Sequence, residues 1–315
     1  MMISIFIMFS LLFVGLITLT PVSALIPDAC NCVIFQFNQV QDYYLNRPQV
    51  AVMDKFIQKN ENVTLGVIGN FIGDDHKIID KISEGRQKGN FEIAINGWNY
   101  EPYSTKSVDI QKTALDVSKT KMQTLFEVDS LIFAPPYNTY DTNTLQAMKD
   151  LNMKIISSEF DKEDMFVTPH FYIDDGTYFK DTFGIYHLPP KIEYYNVIVP
   201  FDKNGNPLAK PIKIPLSTIL SNVTTTIDTY GYAVVTLHPT DFSEYSGFIP
   251  KNTVNATEIN DLDSLITDIH SAGFTIKSFS TVTHLPNQPI MDSTPSVIKL
   301  LQHQLQIIYC MIFHC

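Results

Sequence analysis

Glu92–Tyr103 reads EIAINGWNYEPY, and the fold is decided in this stretch. Ile93 and Ile95 alternate with Glu92, Ala94 and Asn96, which is the period of a strand. A glycine-containing turn follows and presents Asn96, Trp98, Asn99 and Tyr100; Trp98 is the only tryptophan in the chain. A strand that stops abruptly in polar and aromatic side chains is how sites are built at the carboxyl edge of a parallel sheet. A surface turn with one aromatic packed over a core leaves the same trace, so the other strand ends have to decide between the two.

Upstream, Val33–Phe37 (VIFQF) has the composition of a buried strand ending at Asn38-Gln39, and Thr64–Ile68 that of a second ending at Gly69-Asn70. Helical spacing links Val52, Phe56 and Ile57 in Pro48–Lys59, and Ile78, Ile79 and Ile82 in His76–Gln87. Downstream, Ser107–Glu127 repeats apolar residues at near-helical intervals. Leu131–Ala134 is a strand halted by Pro135-Pro136-Tyr137. Asp141 or Thr142 can cap a helix that runs to Leu151. Lys154–Ser157, Val197–Val199, Ala233–Leu237 and Phe274–Lys277 complete the strands, with helices expected over Ile214–Tyr230 and Glu258–Ala272. About seven strands alternating with helices predict parallel βα units and an α/β fold, a distorted (β/α)7-type barrel in a single domain. The expected boundaries are a signal peptide over 1–24, the barrel over 25–285 and a C-terminal tail over 286–315.

The bulk properties agree with a barrel. The chain has 315 residues with 45% hydrophobic and 12% aromatic side chains, enough for one large core. Its formal net charge of −11 argues against a nucleic-acid partner, which needs a basic face. The Lys/Arg stretches Lys81–Lys88 and Lys203–Lys213 are diluted with acids, Gly and Pro, as solvated surface is. Residues 1–24 contain no charged side chain, and Val22-Ser23-Ala24 supplies the small residues a signal peptidase reads. Cleavage after Ala24 predicts a secreted protein with no stable membrane span; a signal-anchored protein is the alternative. Asn62, Asn222 and Asn255 open Asn-x-Thr glycosylation sequons. Cys30, Cys32, Cys310 and Cys315 sit near the mature ends, where a bridge between the termini is one of several connectivities.

In such a barrel the chemistry belongs at the carboxyl ends of the strands. Those ends are Asn38 and Gln39, Asn70, Asn96 to Tyr100, Pro135 to Tyr137, and His238 with Asp241. An imidazole just past a buried strand, as in Leu237-His238-Pro239-Thr240, suits a general acid or base. His187 in Tyr186-His187-Leu188-Pro189 carries a weaker version of the same suggestion.

Taken in order, Val33–Asp42, Gly97-Trp98-Asn99, Phe133–Asn138 and Val235–Pro239 resemble the successive motifs of polysaccharide deacetylases with the NodB homology domain. The resemblance spans about Val33–Phe279. It implies a distorted barrel and metal-dependent removal of acetyl groups from N-acetylated sugars, with zinc or another divalent ion as cofactor. That mechanism needs two aspartates after the first strand, one as base and one on the metal. It also needs two histidines four residues apart. The resemblance puts Asn38 at the base position, Gln39, Asn96 and Tyr100 at the ligand positions, and His238 at the leaving-group acid. An amide takes up no proton at neutral pH and brings no charge to a cation, and a neutral phenol is a poor zinc ligand.

Two readings follow. In the first the protein is a degenerate, metal-free deacetylase-like protein that binds N-acetylated glycans through Trp98, Tyr100, Pro136, Tyr137 and His238. In the second it is an active hydrolase of amide bonds whose ligands have moved to Asp42, Glu101, His238 and Asp241. Convergence of three of those four side chains would favour the second.

Overall fold

The computed structural model describes residues 30–158, 172–174, 178–188, 192–198 and 210–284. The expected signal segment, the tail and Cys310 with Cys315 lie outside the described residues. Strands are β1 (Cys32–Val40), β2 (Val63–Val67), β3 (Phe91–Ile95), β4 (Ile132–Phe133), β5 (Ile155–Ile156), β6 (Tyr172–Asp174), β7 (Tyr178–Lys180), β8 (Tyr186–His187), β9 (Ile192–Glu193), β10 (Tyr195–Ile198), β11 (Lys210–Lys213), β12 (Tyr232–Leu237), β13 (Ser243–Ser246), β14 (Ile249–Val254) and β15 (Thr275–Ile276). The main sheet has the order β6-β7-β8-β5-β4-β3-β2-β1-β12-β9, with β15 added against the start of β1. From β8 to β9 every neighbouring pair is parallel, while β6 and β7 extend the edge antiparallel. Among the described residues β8 and β9 do not pair, so the barrel is curled but open on that side.

Helices cross between the parallel strands at Asn46–Lys59, His76–Gln87, Val108–Phe126, Thr142–Asp150, Leu216–Tyr230 and Ala256–Ser271. Their ends follow ordinary capping chemistry. Asp75 accepts the Lys77 N–H, Asp141 forms a capping box with Thr144, and Asn255 accepts from Thr257 and Glu258. Each such cap contributes about 1 kcal/mol.

Alternation along β1 divides two cores. Val33, Phe35 and Phe37 face the helices and pack with Val52, Phe56 and Leu265. Cys32 and Ile34 face the barrel interior with Ala94, Ile132, Ile155 and Val234. Near the carboxyl ends the inward positions turn polar, and that change of character makes room for a site.

Cys30 bridges to Cys32, so the connectivity in which these cysteines tie the chain ends together is corrected. Neither member of the bridge is left for Cys310 or Cys315. No helix of the described residues is long and apolar enough to cross a membrane.

Candidate functional site

The first two site residues owe their position to a bulge. Gln36 and Phe37 pair with Thr64 and Leu65, but Val40 pairs with Val67, leaving Asn38 and Gln39 opposite Gly66. Gln39 adopts φ 61°, in the left-handed region. Strict alternation would turn Gln39 away from the interior; the extra residue re-aims it into the mouth, a recurrent use of bulges beside sites. Gly66 lets the bulge close, since a Cβ there would come within 2.4 Å of Asn38 Oδ1.

The ends of β3, β4, β9 and β12 complete a cavity of about 400 Å³. It is lined by Asn38, Gln39, Asn96, Tyr100, Tyr137, His238 and Asp241, all among the strand ends read from the sequence, and also by Glu193, Tyr195 and Thr236. Tyr100, Tyr137 and Asn138 share the left-handed conformation of Gln39, at φ 56°, 57° and 55°. Non-glycine residues held there cost roughly 1–3 kcal/mol each and cluster at functional sites. A larger hollow of about 540 Å³ beside Asn46, Arg47 and Asn252 collects no inward strand ends.

The floor is a closed set of neutral hydrogen bonds. Asn96 Oδ1 accepts the Gln39 backbone N–H at 3.0 Å, and Asn96 Nδ2 donates to Ala134 O at 2.8 Å. Gln39 Nε2 donates to the Tyr100 hydroxyl at 2.7 Å. Burial raises the Tyr100 pKa, with the Gln39 bond opposing, so the phenol stays protonated. The Tyr100 and Tyr137 rings lie 5.0 Å apart, tilted by 49°, and Tyr137 is 62% exposed at the rim.

His238 follows β12, the strand paired with β1, and so enters the mouth beside Asn38. Only 26% of its side-chain surface is open, and burial pushes its pKa down to about 4. Asp241 accepts the His238 backbone N–H at 2.7 Å. Burial lifts the Asp241 carboxyl well above its ordinary value against that hydrogen bond, and the charges of Glu193 and Glu258 add to the rise. His238 Nδ1 is 3.9 Å from Asp241 and 4.0 Å from Glu193, too far for a hydrogen bond.

Several expectations need correction. Trp98 is 1% exposed and does not line the cavity; it packs among Ile95, Tyr103, Leu115 and Phe133. A Cβ on Gly69 would sit 2.8 Å from its ring, and Lys121 Nζ lies over it at 5.7 Å from the centroid. No sugar can stack on that indole. Pro136 is also buried, against Gly97, and Pro135 takes its place in the wall. The four substitute ligands do not converge. Asp42 accepts from the Gly73 and Asp74 backbones, Glu101 pairs with Lys106, and only His238 and Asp241 reach the cavity. His187 is buried in a bond of 2.9 Å to Asp181, away from the cavity lining.

The residues present do not fit a divalent ion. The oxygen of Asn96 is taken by a backbone N–H, and the donor end of Gln39 is turned onto Tyr100. Among the described residues no group of three His, Cys, Asp or Glu side chains is placed to hold a metal.

Glu193 went unnoticed in the sequence because a two-residue strand leaves no periodic trace. Thr236 was within reach: it precedes His238 by two residues along an extended backbone and so points to the same side of the chain.

This parallel, open βα barrel with its polar mouth defines a class of fold shared with carbohydrate deacetylases and esterases. A Mycobacterium smegmatis protein described as a polysaccharide deacetylase matches with a TM-score of 0.57 at 15% identity, over 86% of this chain and 96% of its own. A peptidoglycan N-acetylglucosamine deacetylase, solved with a naphthyl N-oxidanyl-benzamide, matches with a TM-score of 0.52 at 13% identity, over 82% and 91%. A family 4 acetyl xylan esterase from Clostridium thermocellum, solved with a cobalt ion, matches with a TM-score of 0.50 at 14% identity, over 82% and 94%. At these identities the likeness shows the fold. No curated protein sequence matches the chain. Residues 30–156 match the family model described as polysaccharide deacetylase. His238 lies outside the matched residues; the pairing of β12 with β1 brings it to the same mouth.

Proposed function

We propose that this chain is an exported, degenerate member of the polysaccharide deacetylase family that binds N-acetylated glycan in the barrel mouth without catalysing deacetylation. The observation that carries the reading is the hydrogen bonding among Gln39, Asn96 and Tyr100. The resemblance puts the metal ligands at these positions, and here they serve one another as neutral partners. A bound divalent ion would supply an acidified water, its pKa brought down toward ~7, and this donor set is unsuited to hold such an ion. The Tyr100–Tyr137 pair, the open Tyr137 ring and the amides of Asn38 and Asn138 suit a sugar instead.

The test has two arms. Purified protein is expected to carry no stoichiometric zinc and to leave chitin oligosaccharides acetylated, while calorimetry with N-acetylchitotriose gives a measurable isotherm at millimolar ligand. Conversely, Asn38→Asp, Gln39→Asp, Asn96→His and Tyr100→His together are expected to create metal binding. One equivalent of zinc in the wild type, lost on His238→Gln, would overturn the reading and return the protein to the enzymes.

A further inference from the structure

Directly beneath the cavity, the barrel interior holds a buried polar belt. Gln36, Ser157 and Thr236 are all within 2% of complete burial. Ser157 Oγ donates to Gln36 Oε1 at 2.5 Å, and Gln36 Nε2 donates to Asn38 Oδ1 at 2.9 Å. A carboxamide has one accepting and one donating end, so committing the oxygen downward turns the NH2 the other way. Asn38 lines the cavity, and its oxygen occupies the space that a side chain on residue 66 would fill. Thr236, the register partner of Gln36 across β1 and β12, also lines the cavity, and its buried Oγ1 has no hydrogen-bond partner among the described residues.

We propose that Gln36 is a positioning residue that holds the Asn38 carboxamide with its NH2 toward the cavity. That NH2 then selects a neutral ligand group bearing a hydrogen-bond acceptor over a cationic amine. This rests on the carbohydrate-binding reading and names the group the site takes: an amide carbonyl on a sugar. The opposing feature is the carboxylate of Glu193, the register partner of Thr236 across β12 and β9, which would favour an ammonium. The two preferences are therefore separable by experiment.

The experiment is calorimetry at pH 7 with N-acetylchitotriose and with its fully de-N-acetylated trimer. The acetylated trimer is expected to bind the wild type more tightly. Gln36→Glu places a second acceptor under Asn38 and turns the carboxamide over. The expected result is a loss of about 10-fold or more for the acetylated trimer, because two acceptors then face each other. Gly66→Ala is the gentler variant: residue 66 has an ordinary backbone, and its new Cβ displaces Asn38 Oδ1 from its seat. It is expected to weaken the acetylated trimer by about 3- to 10-fold, the loss of one neutral hydrogen bond. Asn38→Asp should reverse the ranking of the two trimers, which a merely structural role would not do. Tighter binding of the amine by the wild type, or an unchanged ratio in both Gln36→Glu and Gly66→Ala, overturns the proposal. Side-chain amide exchange in the ligand-free protein gives an independent readout, with Gln36 NH2 protected and Asn38 NH2 open. If neither trimer binds while that pattern holds, the carbohydrate reading fails and the positioning by Gln36 stands; protection of the Asn38 NH2 instead refutes the positioning itself.

Discussion

Trp98→Ala separates a stacking platform from a core residue. The sequence suggested an exposed indole; the folded chain buries it to 1% and wedges it between the Gly69 backbone and the helix that carries Ser118 and Lys121. Truncating a fully buried tryptophan costs about 3–5 kcal/mol, transfer and cavity terms together. A domain of ordinary stability has about 5–15 kcal/mol in all, so the variant should fold but sit near the edge. With a urea dependence of about 3 kcal/mol per molar, at the upper end for single domains, the midpoint should fall by roughly 1–2 M. Circular dichroism is the assay, because the substitution removes the only tryptophan fluorophore. Trp98→Phe keeps a ring in the slot and is expected to lose less than half as much. Glycan affinity, measured below the onset of unfolding, is expected to match the wild type in both variants. A Trp98→Ala protein with the wild-type urea midpoint and no glycan binding would falsify this account and make the indole a ligand contact after all.

Burial holds the His238 pKa at about 4 against 6.5 in the unfolded chain. Between those values the folded chain binds fewer protons, so stability rises with pH across the window and is lost as pH falls from 6.5 to about 4. His238→Gln should flatten that slope by at most about 1.4 kcal/mol per pH unit, and equal urea midpoints against pH in the two proteins would contradict it. Protein recovered from the medium of an expressing host is expected to begin at Leu25, and N-terminal sequencing that finds Met1 would favour an anchor. In a glycosylating host, peptide mapping should find sugar on Asn222, which is exposed on its helix. It should find none on Asn62, whose amide donates to Ile276 O and whose sequon threonine is buried against Glu92; full occupancy of Asn62 would count against a folded-state constraint.

The sequence by itself determined the alternation of strands and helices, and with it the barrel, because period-2 and period-3.6 apolar patterns are local properties of the chain. The helix His76–Gln87 carries the bounds its spacing predicted, and β1, β2, β3 and β12 stand where their apolar runs do. Asn38, Gln39, Asn96, Tyr100 and His238 were legible as strand ends, and in a parallel barrel strand ends meet. What the sequence could not decide was the direction in which each side chain points once periodicity breaks. Trp98 and Tyr100 share one turn, yet the first is driven under the Gly69 backbone while the second, at positive φ, swings into the mouth. Gln39 joins the site only because a bulge opposite Gly66 shifts the register by one residue. The hairpin of β13 and β14 has an exposed face on either side and no apolar alternation to announce it. Glu193 reaches the cavity from a two-residue strand that pairs with β12 across a long gap in sequence. The orientation of the Asn38 amide follows from the buried Gln36 and Ser157, 121 residues apart, and contacts at that separation exist only after the sheet has closed around them.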